Sequence, residues 1–312
     1  MPKIYLTLLL GAMLILPSNT PVMAANANFG VVASIKPIHS LVSSIMQGTG
    51  NPHLIIKGAG NPHAYNMRPS DAKAIEHAKL VFWIGPQLEA FLDAPLHTLG
   101  ANATLVELSK IDGLTLLPYR EEDEDQHNEP EDTSAHEHDV GMDMHIWLSP
   151  NNAIIMADAI TTALVRANPS MAGIYIKNND TLKNKLKKLE IEIRILLAGV
   201  TSTPYLTFHD AFQYFEQYYG LNYQGALTLN PNAQLGAKKI SQIRQEIKVK
   251  KPACIFTEPQ YNARVIPTLT EGYEIRSATL DALGLAEKAG PDLYDRLLRQ
   301  TASSFADCLS GS

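Results

Sequence analysis

Ten histidines stand in a chain of 312 residues, and three of them share a setting that suits metal chemistry. His63 lies in Asn61-Pro62-His63-Ala64-Tyr65, a loop after a strand-like stretch. His209 directly follows the apolar run Tyr205-Leu206-Thr207-Phe208, and His145 sits in Met144-His145-Ile146-Trp147-Leu148, just ahead of a helix opened by Ser149-Pro150. Asp281 follows another strand-like stretch, Ser277-Ala278-Thr279-Leu280. In open α/β sheets, ligands bind outside the carboxyl ends of the strands, where His63, His209 and Asp281 all fall. Three imidazoles and one carboxylate from four separate segments make a donor set for a divalent cation. Imidazole nitrogen suits Zn²⁺, whereas added carboxylate oxygen suits Mn²⁺. His39, His53, His77 and His97 fall in helical, strand-opening or connecting stretches and are read as structural or surface residues.

The elements that must carry these side chains alternate between two periods. In the first half, Val31 to Ile35, His53 to Ile56, Leu80 to Ile84 and Thr104 to Leu108 read as buried strands with short helices between them, so βαβ units around a parallel sheet are expected. Pro204 to Phe208, Ala226 to Leu229, Ala253 to Phe256 and Tyr273 to Leu280 repeat the theme in the second half. Between the halves a helix is predicted from Ser149-Pro150 to Arg166, then a longer one from Met171 to Leu197. The longer one carries an apolar stripe of Leu182, Leu186, Leu189, Ile193 and Leu196. At 1.5 Å per residue it spans about 40 Å, enough to run along two lobes and join them. The expected fold is therefore α/β. It has an N-terminal lobe over 25–169, a long rigid linker helix over 170–198 and a C-terminal lobe over 199–312. Each lobe is a mainly parallel sheet flanked by helices.

The N-terminal residues read as an export signal. Lys3 precedes an apolar Ile4 to Leu16, and Val22-Met23-Ala24 offers a small-x-small cleavage site, so residues 1–24 are expected to be removed. The apolar run is too short to span a bilayer, and no cysteine near the cleavage site could take a lipid. A soluble protein of the periplasm is expected. The two cysteines, Cys254 and Cys308, are expected to pair in that oxidising compartment. Closing their loop contributes roughly 4 kcal/mol in the chain-entropy description.

The net charge of −6 conceals an uneven distribution. Residues 121–139 hold ten Asp and Glu without a Lys or Arg, which leaves 22 of the 32 acidic residues facing 26 basic ones elsewhere. Nothing in this balance points to nucleic acid. The acidic insert carries His127, His136 and His138 and has the composition of a disordered loop. It is read either as a solvated surface loop or as a weak secondary zinc site.

Four stretches resemble one family in order along the chain: Pro62-His63-Ala64-Tyr65-Asn66-Met67-Arg68-Pro69-Ser70-Asp71, His145-Ile146-Trp147-Leu148-Ser149-Pro150, Thr207-Phe208-His209-Asp210-Ala211-Phe212 and Thr279-Leu280-Asp281-Ala282-Leu283-Gly284. They look like the metal-binding segments of the metal-specific substrate-binding proteins of ABC importers. Within that family they resemble the zinc branch, the ZnuA type. The resemblance covers essentially the whole mature chain, including Phe256-Thr257-Glu258-Pro259-Gln260 and the cysteine pair. It implies two lobes joined by one helix, with Zn²⁺ held in the cleft by His63, His145 and His209 as transported cargo. It also implies delivery to a membrane permease with its ATPase.

The fourth position falls to Asp281 or to water, with orientation of a histidine as the alternative role for Asp281. Some zinc-branch proteins place a Glu directly before the first histidine; here that residue is Pro62. Glu258 is read as supporting a ligand or as structural. A monomer that is not an enzyme is expected. The rival readings are a manganese receptor, an adhesin or storage protein on the same fold, and a zinc hydrolase. No His-Glu-x-x-His helix favours the last of these.

Overall fold

The computed structural model describes residues 29–58, 60–120, 141–228, 236–261 and 263–311. The export signal over 1–24 and the insert with His127, His136 and His138 lie outside the described residues.

The first lobe runs β1 (Val31–Ala33), α1 (Lys36–Ile45), β2 (His53–Leu54), α2 (Pro69–Glu76), β3 (Leu80–Trp83), α3 (Ala90–Thr98) and β4 (Thr104–Glu107). Two helices follow, α4 (Pro150–Ala167) and α5 (Ala172–Leu197). The second lobe contains β5 (Tyr205–His209), α6 (Gln213–Tyr219), β6 (Tyr223–Thr228), α7 (Ala237–Lys250), β7 (Cys254–Thr257), α8 (Ile266–Thr270), β8 (Arg276–Thr279) and α9 (Leu293–Ser310). Each lobe holds a four-stranded, wholly parallel sheet, ordered β2-β1-β3-β4 in one and β6-β5-β7-β8 in the other. The second sheet thus repeats the strand order of the first.

The central strands are buried from end to end because helices cover both of their faces, and β5 holds Thr207 and His209 among its apolar residues. Every residue of β1, β3 and β5 is buried. In each sheet the chain goes first to one side of the opening strand and then to the other. The carboxyl ends of β1 and β3, and of β5 and β7, therefore form the switch points at which such sheets bind ligands.

Helix α4 begins where Ser149 accepts a hydrogen bond from the Asn152 amide at 3.2 Å and Pro150 supplies a preset backbone angle. Helix α5 has the expected length and packs against α1, α4 and α9. Its buried stripe is Leu182, Leu186, Leu189, Ile193 and Leu197, while Leu196 is 48% exposed. A straight helix turns every 3.6 residues, so a strict alternation of four and three drifts off the buried face, and the last contact passes to the next residue.

One continuous apolar core takes in β1, α1 and β3 of the first lobe, α4, α5, and Phe212, Phe215, Phe256 and Phe305 of the second. A smaller cluster lies under α7 and α8. The lobes therefore share packed side chains along α1, α5 and α9, and a wide hinge opening would have to break that core. Polar anchors reinforce the seam. The Lys36 ammonium donates to the carbonyls of Gly284, Leu285 and Glu287 at 3.0, 2.8 and 3.0 Å. Ser40 and Ser44 donate to Pro291 O at 3.1 and 2.8 Å. A disulfide joins Cys254 on β7 to Cys308 on α9, with the Cα atoms 6.1 Å apart. Among the described residues, no helix is long and apolar enough to cross a membrane.

Candidate metal centre

Two turns and the end of one strand carry the histidines into the cleft. Beyond β2, the Asn61 carboxamide accepts the His63 amide at 3.0 Å, and Pro62 opens the single turn Pro62–Ala64 that presents the ring. Tyr65 anchors this loop, its ring against Phe91 and its hydroxyl donating to Ile55 O at 3.2 Å. His145 precedes the buried turn Ile146–Leu148. The Trp147 indole of that turn donates to Ala282 O, 2.8 Å away in the second lobe. His209 is the last residue of β5.

The rings converge. Their centroids are separated by 5.6 Å (His63 and His145), 5.8 Å (His63 and His209) and 5.3 Å (His145 and His209). One ligand nitrogen from each lies within 4.8 Å of the other two. Tetrahedral zinc with Zn–N bonds of 2.0–2.1 Å needs nitrogens about 3.3 Å apart, so a contraction on the order of 1 Å brings them onto one ion.

Two carboxylates orient the buried rings. Asp143 Oδ1 accepts both the His145 amide at 2.9 Å and its Nδ1–H at 2.7 Å. Glu258, just past β7, faces His209 Nδ1 at 3.2 Å, so this pair spans the switch point between β5 and β7. A carboxylate beside Nδ1 fixes the proton there and leaves the Nε2 lone pair for a metal. The electrostatics differ from ring to ring. His63 lies at the solvent rim, but its ring is crowded by protein; that burial, and then the imidazoles of His145 and His209, push its pKa down to about 3. Burial favours neutral His145 too, yet Asp143, with Glu258 and Asp210 behind it, holds its pKa above the ordinary histidine value.

Around the rings, a space of about 10 Å³, room for about one water, is lined by Glu258, Gln260, Tyr261, Trp147 and Ala282 as well as the histidines. Towards solvent, a cavity of about 250 Å³ is walled by the three histidines, Tyr119 and Asp210.

Comparison with known proteins identifies the family. Residues 31–308 match the family described as "Zinc-uptake complex component A periplasmic". The chain belongs to that family. It is 42% identical over 314 residues to the "High-affinity zinc uptake system protein ZnuA" of Brucella suis biovar 1, covering 90% of this chain and 92% of that protein. It is 34% identical over 295 residues to the protein of the same name from Yersinia pestis, covering 91% and 92%. A crystal structure of ZnuA superimposes with a TM-score of 0.75 at 22% identity, covering 89% of this chain and 98% of that one. The periplasmic zinc-binding protein TroA of Treponema pallidum gives 0.74 at 19% identity over 89% and 98%. These two likenesses show a shared fold.

Asp281, expected as the fourth ligand, is not in the group of ligand atoms formed by His63, His145 and His209. Its carboxylate accepts the backbone N–H groups of Leu283 (3.1 Å), Leu285 (2.5 Å) and Ala286 (3.4 Å). It closes the turn after β8 and faces the Lys36 ammonium that clamps the same turn. That turn carries Ala282, the acceptor of the Trp147 indole. The other four described histidines stay apart: His39 pairs with Pro52 O at 3.1 Å, His53 with Asp71 at 3.2 Å, His97 with Asp93 O at 2.8 Å, and His77 ends α2.

Sequence reasoning missed Asp143. The available signal was a carboxylate two residues before a candidate ligand, close enough to fold back onto both the amide and the ring of His145.

Proposed function

We propose that this chain captures Zn²⁺ in the periplasm and passes it to the membrane permease of an ABC importer driven by its ATPase. The observation that carries this reading is the convergence of His63, His145 and His209, with one nitrogen of each within 4.8 Å of the others. The family match and the relatives named for high-affinity zinc uptake support it.

Nitrogen donors from three segments select zinc over the harder manganese ion. Two rings are held as Nδ1–H tautomers before an ion arrives, so little reorganisation opposes binding. His63 is the rim ligand, exposed where an ion enters and kept neutral by its low pKa. Water in the adjoining space completes a tetrahedron, since Asp281 is held by backbone amides.

Capture fits the site better than hydrolysis does. A hydrolase needs a carboxylate free to take a proton from metal-bound water. Here Asp143 and Glu258 hold ligand rings, and Asp210 is paired with Arg120 at 3.0 Å.

Zinc titration against a chromophoric chelator tests the reading on the intact chain and on His63→Ala, His145→Ala and His209→Ala. Each variant is expected to lose at least 100-fold in affinity, because two imidazoles cannot enclose the ion. Near-native affinity in all three would end the proposal.

A further inference from the structure

Residues 117–120 and 141–143 pair antiparallel. Tyr119 N–H donates to Gly141 O at 2.9 Å and Asp143 N–H to Leu117 O at 2.8 Å around the bridge between Pro118 and Met142. This two-stranded strap comes from the first lobe and lies on α6 of the second. Tyr214 on α6 donates its hydroxyl to Asp143 O at 2.6 Å and accepts the Leu117 amide at 3.0 Å. The Gln213 amide, turned so that its nitrogen faces acceptors, reaches Pro118 O and Asp143 Oδ2 at 3.2 Å each. At the far end of the 117–120 strand, the Arg120 guanidinium donates to Asp210 Oδ1 at 3.0 Å and Glu216 Oε2 at 2.5 Å, and lies 3.7 Å from the centroid of the Tyr223 ring.

Both ends of the strap act next to a ligand. Asp143 holds the amide and ring of His145. Asp210 is the residue after His209, whose carbonyl accepts the Ala211 amide at 3.0 Å in the same tight turn. The Asp210 and Glu216 side chains are only 7% and 2% exposed, so Arg120 is the cation shared by two carboxyl groups that water barely reaches.

We propose that the strap is a latch across the cleft and that Arg120 is a positioning residue for zinc capture. It fixes Asp210, and through it His209, at the distance from His145 that a single ion requires. Arg120 touches no ligand ring; it acts through Asp210 and Glu216 from one side, as Tyr214 acts through Asp143 from the other. The planar guanidinium serves both carboxylates at once, which a lysine cannot do with the same geometry.

This inference rests on the zinc-capture reading, and the experiment separates the two. Zinc release into excess chelator is followed by stopped flow, and the visible d–d band of the Co²⁺-loaded protein reports the coordination geometry. Wild type, Arg120→Met, Arg120→Lys and Tyr214→Phe are compared in the full chain. Arg120→Met is expected to release zinc roughly 10- to 100-fold faster, the range seen when a group supporting a metal ligand is lost, and to show a weakened tetrahedral cobalt band. Arg120→Lys is expected to recover part of both. Tyr214→Phe keeps the ring and removes only the hydroxyl, and is expected to accelerate release as well; it decides the question if Arg120→Met does not fold.

Wild-type release rates and an unchanged cobalt band in the folded variants would overturn the latch while leaving the zinc site intact. Absence of tight zinc binding in wild type would instead overturn the capture reading itself.

Discussion

Asp143→Asn tests how a carboxylate tunes a ligand. Asparagine keeps the shape and an acceptor oxygen for the His145 amide and Nδ1–H, now at 2.9 and 2.7 Å from Asp143 Oδ1, but removes the charge. Two consequences follow, with opposite dependence on pH. In neutral and alkaline solution the less polarised imidazole is a poorer donor. Zinc affinity should fall about 10- to 100-fold, equivalent to about 1.4–2.8 kcal/mol. In acid the order of effects changes. Wild-type His145 holds its proton above the ordinary histidine range because of Asp143, so protons compete with zinc early as pH falls. In the variant, burial acts without that counterweight and lowers the pKa, so competition begins at a lower pH. The wild-type advantage should be largest near pH 8 and narrow towards pH 6. Competition titrations with a chelator of known pH dependence, at half-unit steps, measure this directly. Equal affinities at pH 8, or a ratio that stays constant down to pH 6, would refute the assignment.

Further tests address the rest of the molecule. Asp281→Asn should change zinc affinity by no more than a few-fold, since its oxygens serve Leu283, Leu285 and Ala286 amides; a loss of tens-fold with unchanged thermal stability, read by titration and calorimetry, would put that carboxylate on the ion. Glu89 is fully buried at the end of the first sheet, accepts the Ile84 amide at 2.8 Å, and is pushed up to about 7 by burial. A raised carboxylate pKa means that the folded state binds the extra proton. The contribution of Glu89 is therefore fully present below about pH 4.5 and lost as pH rises through about 7. Glu89→Gln should flatten that part of the urea-unfolding profile, by on the order of 3 kcal/mol; an unchanged slope would contradict the burial argument. Replacing Cys254 and Cys308 together by serine should cost about 4 kcal/mol for a loop of 54 residues, with zinc affinity unaltered. A large affinity change measured by titration would show that the staple reaches the cleft.

The fold was legible because buried parallel strands must be apolar on both faces. Val31 to Ala33, Leu80 to Trp83 and Tyr205 to Phe208 announce themselves that way. The repeated strand–helix alternation then puts the residues that follow the strands at one end of each sheet. This is why His63 and His209 stood out among ten histidines, while His145, which precedes a helix, was added to them by the resemblance of its segment to the family.

The supporting groups were less visible. Among 32 acidic residues, nothing in local spacing separates Asp143, which grips His145, from Asp281, which folds back on its own turn. That distinction depends on backbone direction after a strand ends, and on Lys36, which lies 248 residues away from the Gly284 carbonyl it binds. Arg120 was equally hidden, because its partners Asp210 and Glu216 meet it only once the lobes are packed. The exchange of Leu196 for Leu197 at the end of α5 has a simpler origin in helical drift.

X-ray absorption at the zinc edge, on protein lacking residues 121–139 and loaded with one equivalent of metal, reads the coordination shell itself. Removing that stretch takes His127, His136 and His138 out of the spectrum. Three imidazoles at 2.0–2.1 Å with their outer-ring scattering, plus one oxygen, are expected. A first sphere with fewer than three imidazoles, or no tightly held zinc at all, would contradict the three-histidine site.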